Sequence, residues 1–266
     1  MTTRTTTPTS AISVTTYDEL EKFIKAFAAG HLNLLMLIGP GGVAKSQTVR
    51  QAVGEGACWI EGNASAFGIY TKLYQHKDSL VVIDDVDSLY SDRAAIRLLK
   101  CLCQTDASKR VAWETNAVGK DGIPKEFVTT SRVIIIANEW KTLSRDVAAV
   151  QDRGHLVAFE PSPIEVHRKV GEWFEDETIY RWMGEHLHLI PNHSMRLYKR
   201  AAELQAAGIN WVQHILADIP EKARLVAELR ADPSFESENE RIIAFIDRGG
   251  GSRATYFNHK KRLRAA

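Results

Sequence analysis

Cysteine is scarce: only Cys58, Cys101 and Cys103 occur in 266 residues. An odd, sparse set in no zinc-like spacing excludes a disulfide framework and fits a reducing compartment. Long apolar runs are missing as well. The longest, Leu34 to Ile38, falls far short of the roughly 20 residues that a membrane helix needs, and the threonine-rich start lacks the apolar stretch of a secretory signal. The expectation is a cytoplasmic protein. Neither charge sign dominates, because 34 Lys and Arg face 33 Asp and Glu for a net charge of +1. No protein-wide field for nucleic acid follows, so any such contact has to come from a local basic patch. With 8 Pro and 17 Gly the chain is neither collagen-like nor low-complexity, and 44% hydrophobic residues suffice for a globular core in one large or two small domains.

Residues 1–16 contain eight threonines and little to bury, which predicts a flexible leader. From residue 17 to 160, short apolar runs alternate with helical stretches. Leu34 to Ile38, Ala57 to Ile60, Leu80 to Ile83, Val111 to Glu114 and Val133 to Ala137 read as strands. Continuous apolar runs between helices suit strands buried on both faces, which predicts an α/β fold, a three-layer αβα sandwich around a parallel sheet. Past Pro161 helical patterns follow one another without strands, so residues 161–231 read as a small all-helical second domain. Residues 232–266 read as a short C-terminal piece with two helices separated by Gly249, Gly250 and Gly251.

The chemistry starts where the Leu34 to Ile38 strand runs into Gly39-Pro40-Gly41-Gly42-Val43-Ala44-Lys45-Ser46, followed by Gln47 in a helix. This is the phosphate-binding pattern G-x-x-x-x-G-K-[ST] with Ala44 in place of the last glycine. Backbone N–H groups and a helix N-terminus face phosphates in such a loop, the lysine reaches the β and γ oxygens, and the hydroxyl holds magnesium. A second strand, Leu80 to Ile83, ends in Asp84-Asp85. Asp84 suits a hydrated magnesium ion, and Asp85 suits the orientation or deprotonation of an attacking water.

On these motifs the sequence resembles the AAA+ ATPases across about residues 17–230. Alanine before Lys45-Ser46-Gln47 is similar to the variant loop of minichromosome-maintenance helicases and MoxR-type ATPases, which implies that Ala44 is compatible with ATP binding. The Asp84-Asp85 pair resembles that of DnaA-like initiators and helicase loaders. The resemblance implies a polar sensor on a later strand, and Val133 to Ala137 ends in Asn138. It also implies an arginine finger acting on a neighbouring subunit, for which Arg153 is the choice and Arg145 the competitor. Arg196, near the start of a helix opened by Ser194, resembles the second sensor arginine. Assembly into a ring or filament, a hexamer in this resemblance, is implied with them. The polar loop from Asn116 to Gly122 after Trp113 reads as a connection, in a region where ring-shaped ATPases hang substrate loops. His186, His188 and His193 match no zinc spacing, so no metal is expected there.

The C-terminal 18 residues hold Arg253, Lys260, Lys261, Arg262 and Arg264 and no acid. Ile242, Phe245 and Ile246, facing Ala254, Phe257 and Leu263, match the apolar contact of a helix-turn-helix, and Ser252 to Tyr256 is similar to the start of a recognition helix. That predicts DNA as a partner; a basic tail that solubilises the chain or packs on a neighbour is the alternative. The function expected is a magnesium-dependent ATPase acting on DNA or a DNA-bound partner. Protein remodelling of MoxR type and a nucleotide-gated scaffold with little hydrolysis remain open.

Overall fold

A computed structural model describes residues 10–62, 64–86, 92–113, 122–139, 150, 152–190, 193–217 and 219–265, for 262–265 the backbone only. The chain divides into two compact units, Met1–Pro161 and Ser162–Ala266.

In the first unit the order is β1 (Ile12–Val14), α1 (Tyr17–Ala28), β2 (Leu34–Ile38), α2 (Lys45–Val53), β3 (Cys58–Glu61), α3 (Ala66–Gln75), β4 (Val81–Asp84), α4 (Arg93–Leu102), β5 (Lys109–Ala112), β6 (Glu126–Thr129), β7 (Val133–Ala137) and β8 (His155–Phe159). Six strands form one sheet in the order β1-β8-β2-β7-β4-β3, every neighbouring pair parallel. The sheet is flanked by helices, and β2 and β7 are buried at all five positions, as expected of central strands covered on both faces. Strand β2 lies between two strands that come much later in the chain, so the chain leaves it in one direction and returns on its other side. In open α/β sheets a crevice forms at the C-terminal strand ends at such a switch point. The phosphate loop leaves β2 there.

Two expectations need correction. Ile12–Val14, read as part of the leader, forms the edge strand β1 against β8, with Ile12 opposite Val157. The Val111 run, read as a core strand, belongs instead to a separate antiparallel pair, β5 with β6. Its residues alternate between buried and exposed, which suits a pair with one wet face and not a buried parallel strand. Lys109 is fully buried in β5, where its ammonium donates to Asn33 Oδ1 at 2.8 Å and to the Ser131 carbonyl at 2.5 Å. Burial pushes its pKa down. Trp113 packs against Phe67 and Tyr70 of α3, ring centroids 6.0 and 5.9 Å away.

The second unit is helical throughout its described residues: α5 (Pro163–Val170), α6 (Glu177–Glu185), a 3-10 turn at Leu187–Leu189, α7 (Met195–Ala206), α8 (Trp211–Ala217), α9 (Glu221–Ala231), α10 (Glu238–Asp247) and α11 (Arg253–Ala265). Tyr198 is fully buried, and its hydroxyl lies 2.8 Å from His167 Nδ1 and 2.7 Å from His193 Nε2. Val226, Leu229, Ile242, Phe245 and Tyr256 form the core that joins α9, α10 and α11. No helix among the described residues is long and apolar enough to cross a membrane.

Candidate nucleotide site

The phosphate loop is held from three sides. Gly39 passes so close to β8 that a Cβ there would meet the Phe159 carbonyl oxygen at 2.1 Å, so no other residue fits. From α1, the buried Tyr17 hydroxyl donates to the Val43 carbonyl at 3.0 Å. At the end of the loop Ala44 takes the left-handed conformation, φ 59°, and begins α2 as its N-cap. Its carbonyl accepts from the Thr48 N–H at 2.9 Å and from the Thr48 hydroxyl at 3.0 Å. The usual glycine adopts that φ freely; in alanine the Cβ crowds the backbone at a cost of about 1–2 kcal/mol.

Lys45, 6% exposed, turns its ammonium back over the loop. It donates to the carbonyls of Gly39 at 2.8 Å and Pro40 at 2.7 Å and reaches Asn138 Oδ1 at 3.4 Å. Asn138 lies just past β7, beside β4, and its Nδ2 donates to Asp85 Oδ2 at 3.3 Å. Lys45, Asn138 and Asp85 thus form one line across the C-terminal ends of β2, β7 and β4. Asp85 enters that line because its backbone turns left-handed, φ 52°, while its N–H stays bonded to the Ile136 carbonyl at 3.0 Å. Aspartate tolerates that conformation better than most residues.

Asp84, at the end of β4, is half-buried and lies near the Ser46 side chain. Burial raises its pKa, and Glu61 and Asp85 add to the rise while Ser46 and Lys45 oppose it. A hydroxyl and a carboxylate side by side at a loop of backbone N–H groups are hard oxygen donors that suit magnesium. Gly41, Gly42, Val43 and Gln47 complete the loop and the first turn of α2, with Gly42 at φ 80°.

The other sequence-predicted residues lie elsewhere. Arg153 precedes β8, whose first residue starts near the beginning of β2, so a strand length of about 15 Å separates it from its own phosphate loop. Its guanidinium donates to the Lys100 carbonyl in the last turn of α4 at 2.7 Å. Arg196 is exposed, in the first turn of α7 in the second unit. Ser194 stands at the N-cap of that helix but makes no side-chain capping bond. Arg145 and the loop residues 116–121 lie outside the described residues.

The C-terminal contact is built differently from the expectation. Ile242 and Phe245 are buried, but Ile246 and Phe257 are exposed, as is Ala254, and the side chain of Leu263 lies outside the described residues. Tyr256 fills the space instead, its ring edge-on to Phe245 at 5.4 Å and its hydroxyl donating to Glu238 Oε1 at 2.7 Å. Lys260 pairs with the other Glu238 oxygen at 2.5 Å. Burial works against the Glu238 carboxylate, but the hydrogen bonds from Lys260 and Tyr256 outweigh it and hold its pKa low. The phase of α11 is therefore set by a buried polar anchor. Lys260 faces inward, Arg253 and Lys261 are exposed, and the Arg262 side chain lies outside the described residues.

Sequence reasoning passed over Tyr17, Arg50 and Glu61. The signal for Glu61 was present, because Cys58–Glu61 ends in an acid as Val81–Asp84 does.

No family model matches the chain. A curated relative, the "Uncharacterized 36.7 kDa protein in nrdC-mobD intergenic region" of Enterobacteria phage T4, is 27% identical over 140 residues, which cover 48% of this chain and 41% of that protein. Among solved structures, NtrX from Brucella abortus in complex with ATP is similar over 98% of this chain and 69% of its own, at 15% identity and a TM-score of 0.47. NtrX in complex with ADP is similar over 88% and 58%, at 14% identity and a TM-score of 0.49. Drosophila ORC bound to DNA is similar over 100% and 81%, at 15% identity and a TM-score of 0.41. In its own phosphate loop, paired aspartates, Asn138 at a neighbouring strand end and parallel sheet, the chain resembles an AAA+ P-loop ATPase.

Proposed function

We propose that the chain is a magnesium-dependent ATPase that assembles with copies of itself and couples ATP binding and hydrolysis to action on DNA or a DNA-bound partner. The line from Lys45 through Asn138 to Asp85, with Ser46 and Asp84 beside it, is the observation that carries this reading. The loop N–H groups and the N-terminus of α2 provide the field for a triphosphate. Lys45 exchanges the Gly39 and Pro40 carbonyls for the β and γ oxygens, a charge-assisted contact stronger than the neutral ones it gives up. Ser46 and Asp84 hold magnesium, which neutralises phosphate charge when bound. Asp85 orients the attacking water and accepts its proton, and Asn138 holds the Asp85 carboxylate in position.

Arg153 and Arg196 act from outside the loop in this reading. The distance of Arg153 from its own loop supports action on a neighbour's nucleotide, and Arg196 takes the part of a second sensor arginine. DNA enters through α11, which carries Arg253 and Lys261 on its exposed surface and no acid. The Lys260–Glu238 pair removes Lys260 from the expected phosphate contacts.

The test is ATP binding and turnover by the purified full chain with magnesium, with and without single- and double-stranded DNA. Turnover that rises with DNA is expected, with binding lost in Lys45→Ala and with binding kept but turnover lost in Asp85→Asn. Turnover indifferent to DNA moves the function to protein remodelling; tight binding without turnover makes the chain a nucleotide-gated scaffold. A parent chain that binds no nucleotide overturns the site.

A further inference from the structure

Helix α2 reaches the end of β3 through one side-chain pair. Ser46 and Arg50 stand four residues apart and so share one face of the helix. Ser46 lies near Asp84, whose charged form it favours, and Arg50 pairs with Glu61 at 2.7 Å. Glu61 and Asp84 are register partners at the ends of adjacent parallel strands, which places both side chains on the same face of the sheet. Trp59, two residues before Glu61, lies under the Arg50 guanidinium, 3.9 Å from its centre to the ring centroid. The cation is thereby fixed by an aromatic face and a carboxylate together.

We propose that Arg50 and Glu61 form a positioning pair that sets the magnesium affinity of the Ser46–Asp84 site, Glu61 strengthening it and Arg50 holding that effect in check. The inference rests on the nucleotide reading above. Both side chains are about half exposed, so the pair contributes little to stability and its members are replaceable without unfolding the chain. Its electrostatic effect is local. Glu61 stands one strand spacing from Asp84, about 5 Å between backbones, inside the screening length of about 8 Å at physiological salt. Arg50 neutralises that charge. The two partners therefore act on a divalent cation in opposite directions, which a merely structural role does not produce.

The experiment measures the magnesium concentration at half-maximal binding of a fluorescent ADP analogue, together with thermal unfolding, in the full-length chain. Glu61→Gln leaves the Arg50 cation unopposed, and the half-saturating magnesium concentration should rise by about threefold to tenfold. Arg50→Ala leaves Glu61 uncompensated beside Asp84, and the same concentration should fall by a similar factor. The double variant should return to within about twofold of the parent. Shifts in the same direction for both single variants, or none, overturn the proposal. A parent that binds the analogue equally with and without magnesium removes the metal site itself. A parent that does not bind it at all removes the nucleotide reading, so the failures are distinguishable.

Discussion

The Tyr17 hydroxyl donates to the Val43 carbonyl at 3.0 Å, tying the first turn of α1 to the middle of the phosphate loop. Tyr17 is buried, and its ring packs edge-on against Phe159 at 5.1 Å; Phe159 in turn supplies the carbonyl against which Gly39 is pressed. The loop thus takes its shape from α1 and β8 before any ligand arrives. Tyr17→Phe keeps the ring and removes the hydroxyl. We expect a stability loss of about 1 kcal/mol and a nucleotide affinity several-fold weaker, because ordering the loop then falls to the ligand. Urea unfolding and titration with a fluorescent nucleotide check both; unchanged affinity would show that the loop is ordered without α1.

Ala44 carries backbone strain that the usual glycine does not. Ala44→Gly should raise stability, since relief of a left-handed alanine is worth about 1 kcal/mol and the added freedom of the unfolded chain offsets part of it. Nucleotide affinity should stay within about threefold of the parent, because the N–H groups keep their directions. A drop in stability in denaturant titrations would mean that the Ala44 methyl makes a contact worth more than the strain.

Much of this site was legible in the sequence. Leu34–Ile38 leading into a Gly-rich turn and Lys45-Ser46 announces a buried strand, a phosphate loop and a helix at once, because each local signal points to the same geometry. Strand β1 was not legible: Ile12 and Ser13 are exposed and only Val14 is buried, so its identity comes from β8 backbone bonds and not from its own pattern. Strand β6 reads Glu-Phe-Val-Thr, with Val128 exposed, and its partner β5 hides a lysine in the core, a placement that Asn33 and the Ser131 carbonyl make tolerable. The phase of α11 was hidden for a related reason. A periodicity argument counts apolar residues, whereas Tyr256 goes inward with its hydroxyl satisfied by Glu238 and leaves Phe257 outside.

Stability should fall on acidification through the second unit. His193 is buried, and its pKa is pushed down to about 4. The charged ring carries a proton on both nitrogens; Nε2 lies beside the Tyr198 hydroxyl, but Nδ1 is buried without a hydrogen-bond partner among the described residues. His167, on the other side of that hydroxyl, is also lowered by burial. Between about pH 6.5 and 4 the unfolded chain binds a proton at His193 that the folded chain does not. The stabilisation is therefore complete above about 6.5 and declines as the pH falls toward 4, by about 3 kcal/mol from His193. Thermal unfolding between pH 7.5 and 4.5 checks the sign. A His193→Gln variant should start lower at pH 7.5 and lose less on acidification; parallel curves for the two chains would move the pH dependence elsewhere.

Arg153 presents the sharpest conflict between two roles, because its guanidinium already serves the C-terminal turn of α4 through the Lys100 carbonyl. A side chain confined to that role would affect stability alone. Arg153→Ala should lose about 1 kcal/mol of stability with the hydrogen bond, bind ATP as the parent does, and hydrolyse it about a thousandfold or more slowly, the range of a missing arginine finger. The decisive measurement mixes Arg153→Ala chains with Lys45→Ala chains. An interface that joins an intact phosphate loop on one subunit to an intact Arg153 on its neighbour is complete, so turnover should reappear in the mixture though both parents are inactive. The recovered rate should peak at intermediate ratios, since such interfaces are most frequent there. Mixtures that assemble normally yet stay inactive at every ratio would confine Arg153 to its own chain, as a strut between β8 and α4.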